Sequence, residues 1–215
     1  MTPALPVLHA MRGHSLLFVM ATEQEYGAAL RARITPLITG VGPVEAGIGL
    51  AAALAGLAAA GTLPDLIVSL GSAGSVRLAH RAIYQVASVA YRDMDATALG
   101  FAPGETPFLP LAPVQPLPLR LPGLPAASLS TGADIVTGAA YDAIAADMVD
   151  MESFAYLRAA QRHGVPMIGL RGISDGAEGL ATLDQWTEHL AELDAKLAAV
   201  IDGLADWIAA GGLRG

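Results

Sequence analysis

The chain has 215 residues, 53% of them hydrophobic and 15% charged, with a formal net charge of -8. That size and composition fit one domain with an extensive buried or subunit-facing surface and argue against disorder. The acid excess without a basic run argues against nucleic acid as a partner; the absence of cysteine removes disulfides, thiolate nucleophiles and Cys-type zinc, and five scattered histidines offer no metal site.

Residues 1–13 precede the first patterned segment and are expected to be flexible. The apolar run behind Arg12 is short for a signal peptide, so a cytoplasmic location is expected. HSLLFVM (14–20) reads as a strand, EQEYGAALRAR as a short helix, and ITPLITGVG (34–42) as a second strand ending in glycines. A helix follows from Pro43, where the missing N–H costs nothing at a first helical position. Residues 46–64 carry no charge and are long enough to span a bilayer. Their Ala and Gly content is only weakly apolar, however, and reads as a tightly packed helix rather than a membrane segment.

PDLIVSLGSAG (64–74) is an apolar strand running into a glycine-rich turn, and AIYQVASVAYRD predicts one or two further strands. The proline-rich stretch 103–125 predicts a long extended loop, after which AASLSTG and DIVTG regain strand character. MESFAYLRAAQRHG predicts a helix closing at Gly164, VPMIGLRGIS the next strand, and a final amphipathic helix runs from about Leu183 to Ala210. Repeated alternation of helices with continuous apolar strands predicts an α/β sandwich around a largely parallel or mixed sheet, in one domain over 1–215.

Ligands of such folds gather at the C-terminal ends of strands. Four such places carry polar residues or glycine: Glu23 and Glu25 in ATEQE; Ser72, Ala73 and Gly74 in LGSAGS; Asp150, Met151 and Glu152 in VDMES; and Arg171, Ser174 and Asp175 in LRGISDG. Singly each is ordinary. Acids favour helix N-termini, Ser-Asp-Gly is turn chemistry, and GSAG is neither the dinucleotide fingerprint nor a phosphate-binding loop. Falling together at successive strand ends, they suit acid–base work on a neutral, hydroxyl-rich ligand.

PDLIVSLGSAGS, MVDMESFAYLRAAQRHGVPMIGLRGISDGAEG and the early ATEQE resemble the purine nucleoside phosphorylase and nucleosidase superfamily over most of residues 15–200. The branch most similar is the 5'-methylthioadenosine/S-adenosylhomocysteine nucleosidases. The resemblance implies a three-layer αβα sandwich with a mixed, mostly parallel twisted sheet, a homodimer and no cofactor. It implies hydrolysis of an adenosine-derived nucleoside to adenine and a ribose derivative. Carried over, Asp175 is the acid that protonates or hydrogen-bonds adenine N7, Glu25 the carboxylate that activates water, and Glu152 the one that holds the ribose hydroxyls. Met151 packs beneath the sugar, Arg171 approaches the ribose, and the turn at Ser72, Ala73 and Gly74 lies near Asp175 or the water. Ser174 adjoins the acid, and Ile135 and Val136 offer backbone groups to the base. The loop 94–107 corresponds to one that reaches the neighbouring subunit, with Leu99, Phe101 and Pro107 as its contacts.

This chain departs from that pattern. The segment from Tyr26 to Ile38 is short where the family carries an extra hairpin, and Ile135 and Leu99 stand where it carries aromatics. Phosphorolysis is the alternative to hydrolysis, as is a nucleosidase for an adenosyl compound with another 5' group. MATEQE would repel phosphate. A silent nucleoside-binding protein has no need of three acids, and a dinucleotide oxidoreductase lacks its fingerprint.

Overall fold

The computed structural model describes residues 5–176 and 189–213. A hairpin of β1 (His9–Met11) and β2 (His14–Met20) opens the fold, followed by a 3-10 turn (Glu23–Glu25), α1 (Ala28–Arg31), β3 (Leu37–Ile38) and α2 (Pro43–Ala59). Next come β4 (Leu66–Ser75), β5 (Ile83–Tyr91), a 3-10 turn (Thr97–Leu99), β6 (Val114–Pro116) and β7 (Ala126–Thr131). A third 3-10 segment (Gly138–Ala143), β8 (Met148–Asp150), α3 (Ser153–Arg162) and β9 (Met167–Gly176) precede α4 (Leu190–Asp202) and α5 (Leu204–Ala209).

Side chains of a strand alternate between faces, so a continuous apolar run belongs to a strand covered on both sides. β2 obeys this rule. Leu16, Phe18 and Met20 join one core, while Leu17 and Val19 join the other. β4 divides likewise, with Leu66, Val68 and Leu70 on the first side and Ile67 on the second. The first core is covered by Leu30 of α1, by Leu193, Leu197 and Ile201 of α4, and by Leu204, Trp207 and Ile208 of α5. The second is covered by Ala46, Leu50, Leu54 and Leu57 of α2, a stripe at helical spacing, and by Phe154, Leu157 and Ala160 of α3.

The expected mixed sheet flanked by helices is present, and its connectivity goes further than the sequence indicated. β4 pairs in parallel with β2 and β9, β5 with β7, and β7 with β8. Antiparallel pairing of β5 with β9 and of β4 with β8 then joins the ring β4–β8–β7–β5–β9, so this part of the sheet closes on itself, while β1, β3 and β6 each pair on one side.

Several local expectations change. Residues 9–11 form the strand β1, which makes a hairpin with β2 through His9↔Leu16 and Met11↔His14. The strand expected over 34–42 shrinks to two residues beside Val19 and Met20. GSAG is not a turn: β4 runs on through it, paired with β9 to Ser75↔Gly176. DIVTG is irregular and leads into the third 3-10 segment. The proline-rich loop includes the short strand β6 against β5. Of the long C-terminal helix, residues 183–188 lie outside the described residues, and the rest is broken at Gly203 into α4 and α5.

Candidate active site

The C-terminal ends of β2, β4, β8 and β9 surround a cavity of about 520 Å³. Its wall contains Glu25, Ser72, Ala73, Gly74, Ile135, Val136, Met151, Glu152, Ser174 and Asp175, all singled out in the sequence. Glu23 does not join them: it turns to the surface and pairs with Arg31 at 2.6 Å.

Each acid sits in a distinct setting. Glu25 is buried, and its Oε1 accepts the Ser72 backbone N–H at 2.7 Å. Burial raises its pKa and nearby Asp150 adds to the rise, while the Ser72 hydrogen bonds and the positive charge of Arg171 oppose it. Gly71 makes room for this carboxylate, since a Cβ there would stand 3.2 Å from Oε2. Glu152 is the residue just before α3, and its Oε1 accepts the N–H of Gly42 at the start of α2, 2.8 Å away. Burial first and Asp150 second push Glu152 up to about 7, against the pull of Gly42 and Arg171. Asp175 is half-buried. Burial raises its pKa, and the Ser174 hydroxyl, which donates to Oδ1 at 3.0 Å, and His80 act in the opposite sense.

A bulge aims Asp175. The register runs Ala73↔Ile173 and then Gly74↔Asp175, leaving Ser174 as the extra residue. In a regular strand Ser174 and Asp175 would face opposite ways; the bulge lets both line the cavity, while Ile173 stays in the core.

Arg171 does not line the cavity, contrary to its expected contact with the ribose. It is 2% exposed, and its donors are spent within the protein. Nε and Nη2 bind Asp150 Oδ2 at 3.1 and 3.0 Å, Nη2 also binds the hydroxyls of Ser69 and Ser153, and Nη1 binds the Leu170 carbonyl. Asp150 in turn accepts from the Thr131 hydroxyl and from Ser153 N. The cation acts on the site from beneath, through its field on Glu25 and Glu152. Leu99, Phe101 and Pro107 are also outside the cavity wall. Leu99 is 75% exposed, Pro107 is half-buried, and Phe101 is half-buried and packs edge-on to Phe108.

Sequence reasoning missed Thr22, Val41, Arg92 and Asp134 in the wall, and did not rank Asp150. Arg92 follows β5 directly, so the strand-end rule that picked the other four places would have reached it. Its guanidinium donates to the carbonyls of Ser130, Asp150 and Asp134, and burial lowers its pKa. Among the described residues the cavity wall is therefore rich in carboxyl groups, and its lining arginine, Arg92, is committed to backbone oxygens. Among the described residues, no cluster of His, Asp and Glu could hold a metal ion, and no helix is long and apolar enough to cross a membrane.

The overall fold is shared with solved nucleosidase structures. Residues 125–206 match the family model described as Phosphorylase superfamily. The nucleosidase from Streptococcus pyogenes, solved with 5-methylthiotubericidin, superposes with a TM-score of 0.69 at 21% identity, covering 88% of this chain and 96% of that one. In sequence, the chain is similar to the 5'-methylthioadenosine/S-adenosylhomocysteine nucleosidase of Geobacillus kaustophilus. The two are 29% identical over 160 residues, 62% of this chain and 66% of that protein. The corresponding nucleosidase of Geobacillus thermodenitrificans is 28% identical over 172 residues, 66% of this chain and 71% of that protein. The resemblance read from the sequence is thus borne out: the C-terminal part of the chain matches the Phosphorylase superfamily model, and its sequence relatives are methylthioadenosine/S-adenosylhomocysteine nucleosidases.

Proposed function

We propose that the cavity is the active site of a nucleosidase that hydrolyses the N-glycosidic bond of an adenosine-derived nucleoside of the 5'-methylthioadenosine/S-adenosylhomocysteine type. The observation that carries this reading is the convergence of Glu25, Glu152 and Asp175, from three separate elements, on one cavity. Water attacks C1' of the ribose as the C1'–N9 bond breaks and its electron pair leaves with adenine. Glu25 takes the water proton, and Asp175 gives its proton to N7 of the departing base. The products are adenine and the free ribose derivative; the proton on Glu25 returns through solvent to Asp175.

The settings of the three acids suit these roles. A donor must hold its proton at neutral pH, and burial raises Asp175 above the ordinary aspartate value of about 3.9. A base must be ionised yet able to take a proton, which suits a raised Glu25 restrained by Ser72 and Arg171. Glu152 stands where ribose hydroxyls can donate to it, and its negative charge stabilises the oxocarbenium-like sugar as the bond breaks. Ile135, Val136 and Met151 supply apolar and backbone surface to base and sugar. Water is the nucleophile rather than phosphate, because the wall is carboxylate-rich and Arg92 is already bonded to three carbonyls.

In this reading the chain acts as one domain, and a second copy covers the 5' side of the site through Leu99, Phe101 and Pro107. The exposure of Leu99 suits such a contact. Chromatography for free adenine after incubation with methylthioadenosine or S-adenosylhomocysteine tests the assignment. Asp175→Asn should fold normally and lower turnover by orders of magnitude; near-normal turnover in that variant rules out Asp175 as the proton donor.

A further inference from the structure

A third, small apolar cluster of Val136, Tyr141 and Val149, with Ile144 against it, backs the cavity where Asp175 projects. Tyr141 comes from the 3-10 segment Gly138–Ala143, is 5% exposed, and its hydroxyl is buried without a hydrogen-bond partner among the described residues. A buried hydroxyl left unpaired is costly. A phenylalanine would fill the same space without that cost. The position of the hydroxyl is informative. A Cβ on Gly74 would run into Tyr141 Oη and would stand 3.0 Å from Asp175 Oδ1, so the two oxygens converge on the bare face of Gly74. The bulge that pairs Gly74 with Asp175 is what brings the carboxyl there.

The other charged groups around this corner already have partners. Arg77 donates to the carbonyls of Ile144, Ala145 and Ala146, and Asp147 accepts from the Ser128 N–H and hydroxyl. Arg92 is bonded to three carbonyls, and the charge of His80 acts on Asp175. Asp175 and Tyr141 influence each other electrostatically, with the carboxylate adding to the rise that burial gives the phenol, so the phenol keeps its proton throughout the working range.

We propose that Tyr141 is a positioning residue for the reaction, its hydroxyl donating to the Asp175 carboxylate that forms as the proton passes to the base. This rests on the nucleosidase reading. While Asp175 is protonated, Ser174 serves its Oδ1 and the phenol has little to gain. When the proton leaves, a full negative charge appears in a half-buried place, and a phenol O–H beside it is a donor that requires no rearrangement of water. The hydrogen bond is stronger in the transition state than in the ground state, so it raises kcat rather than lowering KM.

The test is Tyr141→Phe. A hydrogen bond to a charged group is commonly strong enough that its loss lowers kcat about 10- to 100-fold, and KM should stay within about twofold. The thermal midpoint of the ligand-free variant should not fall by more than about 2 °C, since the hydroxyl has no partner to lose there. A donor to the carboxylate lowers its pKa, so its removal moves the Asp175 titration to higher pH, by about one unit or more. That shift is read by carbon-13 NMR of the Asp175 carboxyl in ligand-free protein and needs no substrate. Gly74→Ala, which drives a methyl group between the two oxygens, should give the same upward shift with the phenol intact and keeps the test open should Tyr141→Phe fail to fold. An unmoved Asp175 titration in whichever variant folds, or an unchanged kcat in Tyr141→Phe, overturns the assignment. Failure of the wild-type protein to release adenine overturns the nucleosidase reading instead, and the NMR comparison still decides whether the phenol serves the carboxyl.

Discussion

Replacing Arg171 by methionine keeps most of its length and apolar volume and removes its charge and every donor. The loss is concentrated on Asp150. The pair is held at 3.0 Å with side chains only 2% and 1% exposed, and Asp150 would keep Thr131 and Ser153 as hydrogen-bond partners but lose its ion-pair partner. Breaking such a pair from one side costs about 3–5 kcal/mol, compared with about 0–1 for an exposed pair. Against a total stability of about 5–15 kcal/mol, that ranges from about a fifth of the margin to all of it. A second effect reaches the cavity. Arg171 restrains the raised pKa values of both Glu25 and Glu152, so its removal lets both climb further. The acidic limb of the kcat/KM profile, set by ionisation of the base Glu25, should therefore move to higher pH. Urea unfolding at pH 7 and a pH–rate profile on the same variant measure the two effects. A stability loss below about 1 kcal/mol would show that the pair behaves as a surface one and refute the reasoning. An unmoved acidic limb would separate Arg171 from the catalytic acids.

Glu152→Gln tests the strain of keeping that acid buried. Its folded pKa of about 7 lies above the ordinary 4.5, so the contribution of Glu152 is fully present below pH 4.5 and is lost as pH rises through 7. Wild-type protein should accordingly lose about 3 kcal/mol relative to the glutamine variant between pH 4.5 and pH 8, read from urea midpoints; a pH-independent difference contradicts the shift. Away from the site, Asp194 of α4 is buried and accepts the N–H groups of Ala29 and Leu30 at 2.8 and 3.1 Å, capping the one-turn helix α1 from across the core. Asp194→Ala should destabilise by about 1–2 kcal/mol with the active-site titrations unchanged, and a neutral effect on the urea midpoint would remove that capping role.

Much of the framework was legible because it rests on local rules. The unbroken apolar runs in β2, β4 and β9 required cover on both faces, and Pro43 marked the start of α2. Acids and glycines after those runs pointed to the rim where the cavity lies. What was not legible depends on pairing. Nothing local indicates that β9 bonds to both β4 and β5 and closes the ring, or that Ser174 is a bulge residue. The sequence placed Arg171 at a strand end but could not show that Asp150, 21 residues earlier, would absorb its guanidinium and keep it out of the cavity. GSAG read as a turn because its glycines suggest one. Their use here is to let Glu25, Tyr141 and Asp175 approach a continuing strand.

The central claim is that three converging carboxyl groups cleave an adenosyl nucleoside with water. Its most direct test is the rate of adenine release from 5'-methylthioadenosine by the wild-type protein in phosphate-free buffer, repeated with added phosphate while the sugar product is followed by phosphorus NMR. The account predicts equal rates and no ribosyl phosphate. Adenine release that depends on phosphate, or no release under either condition, would contradict it.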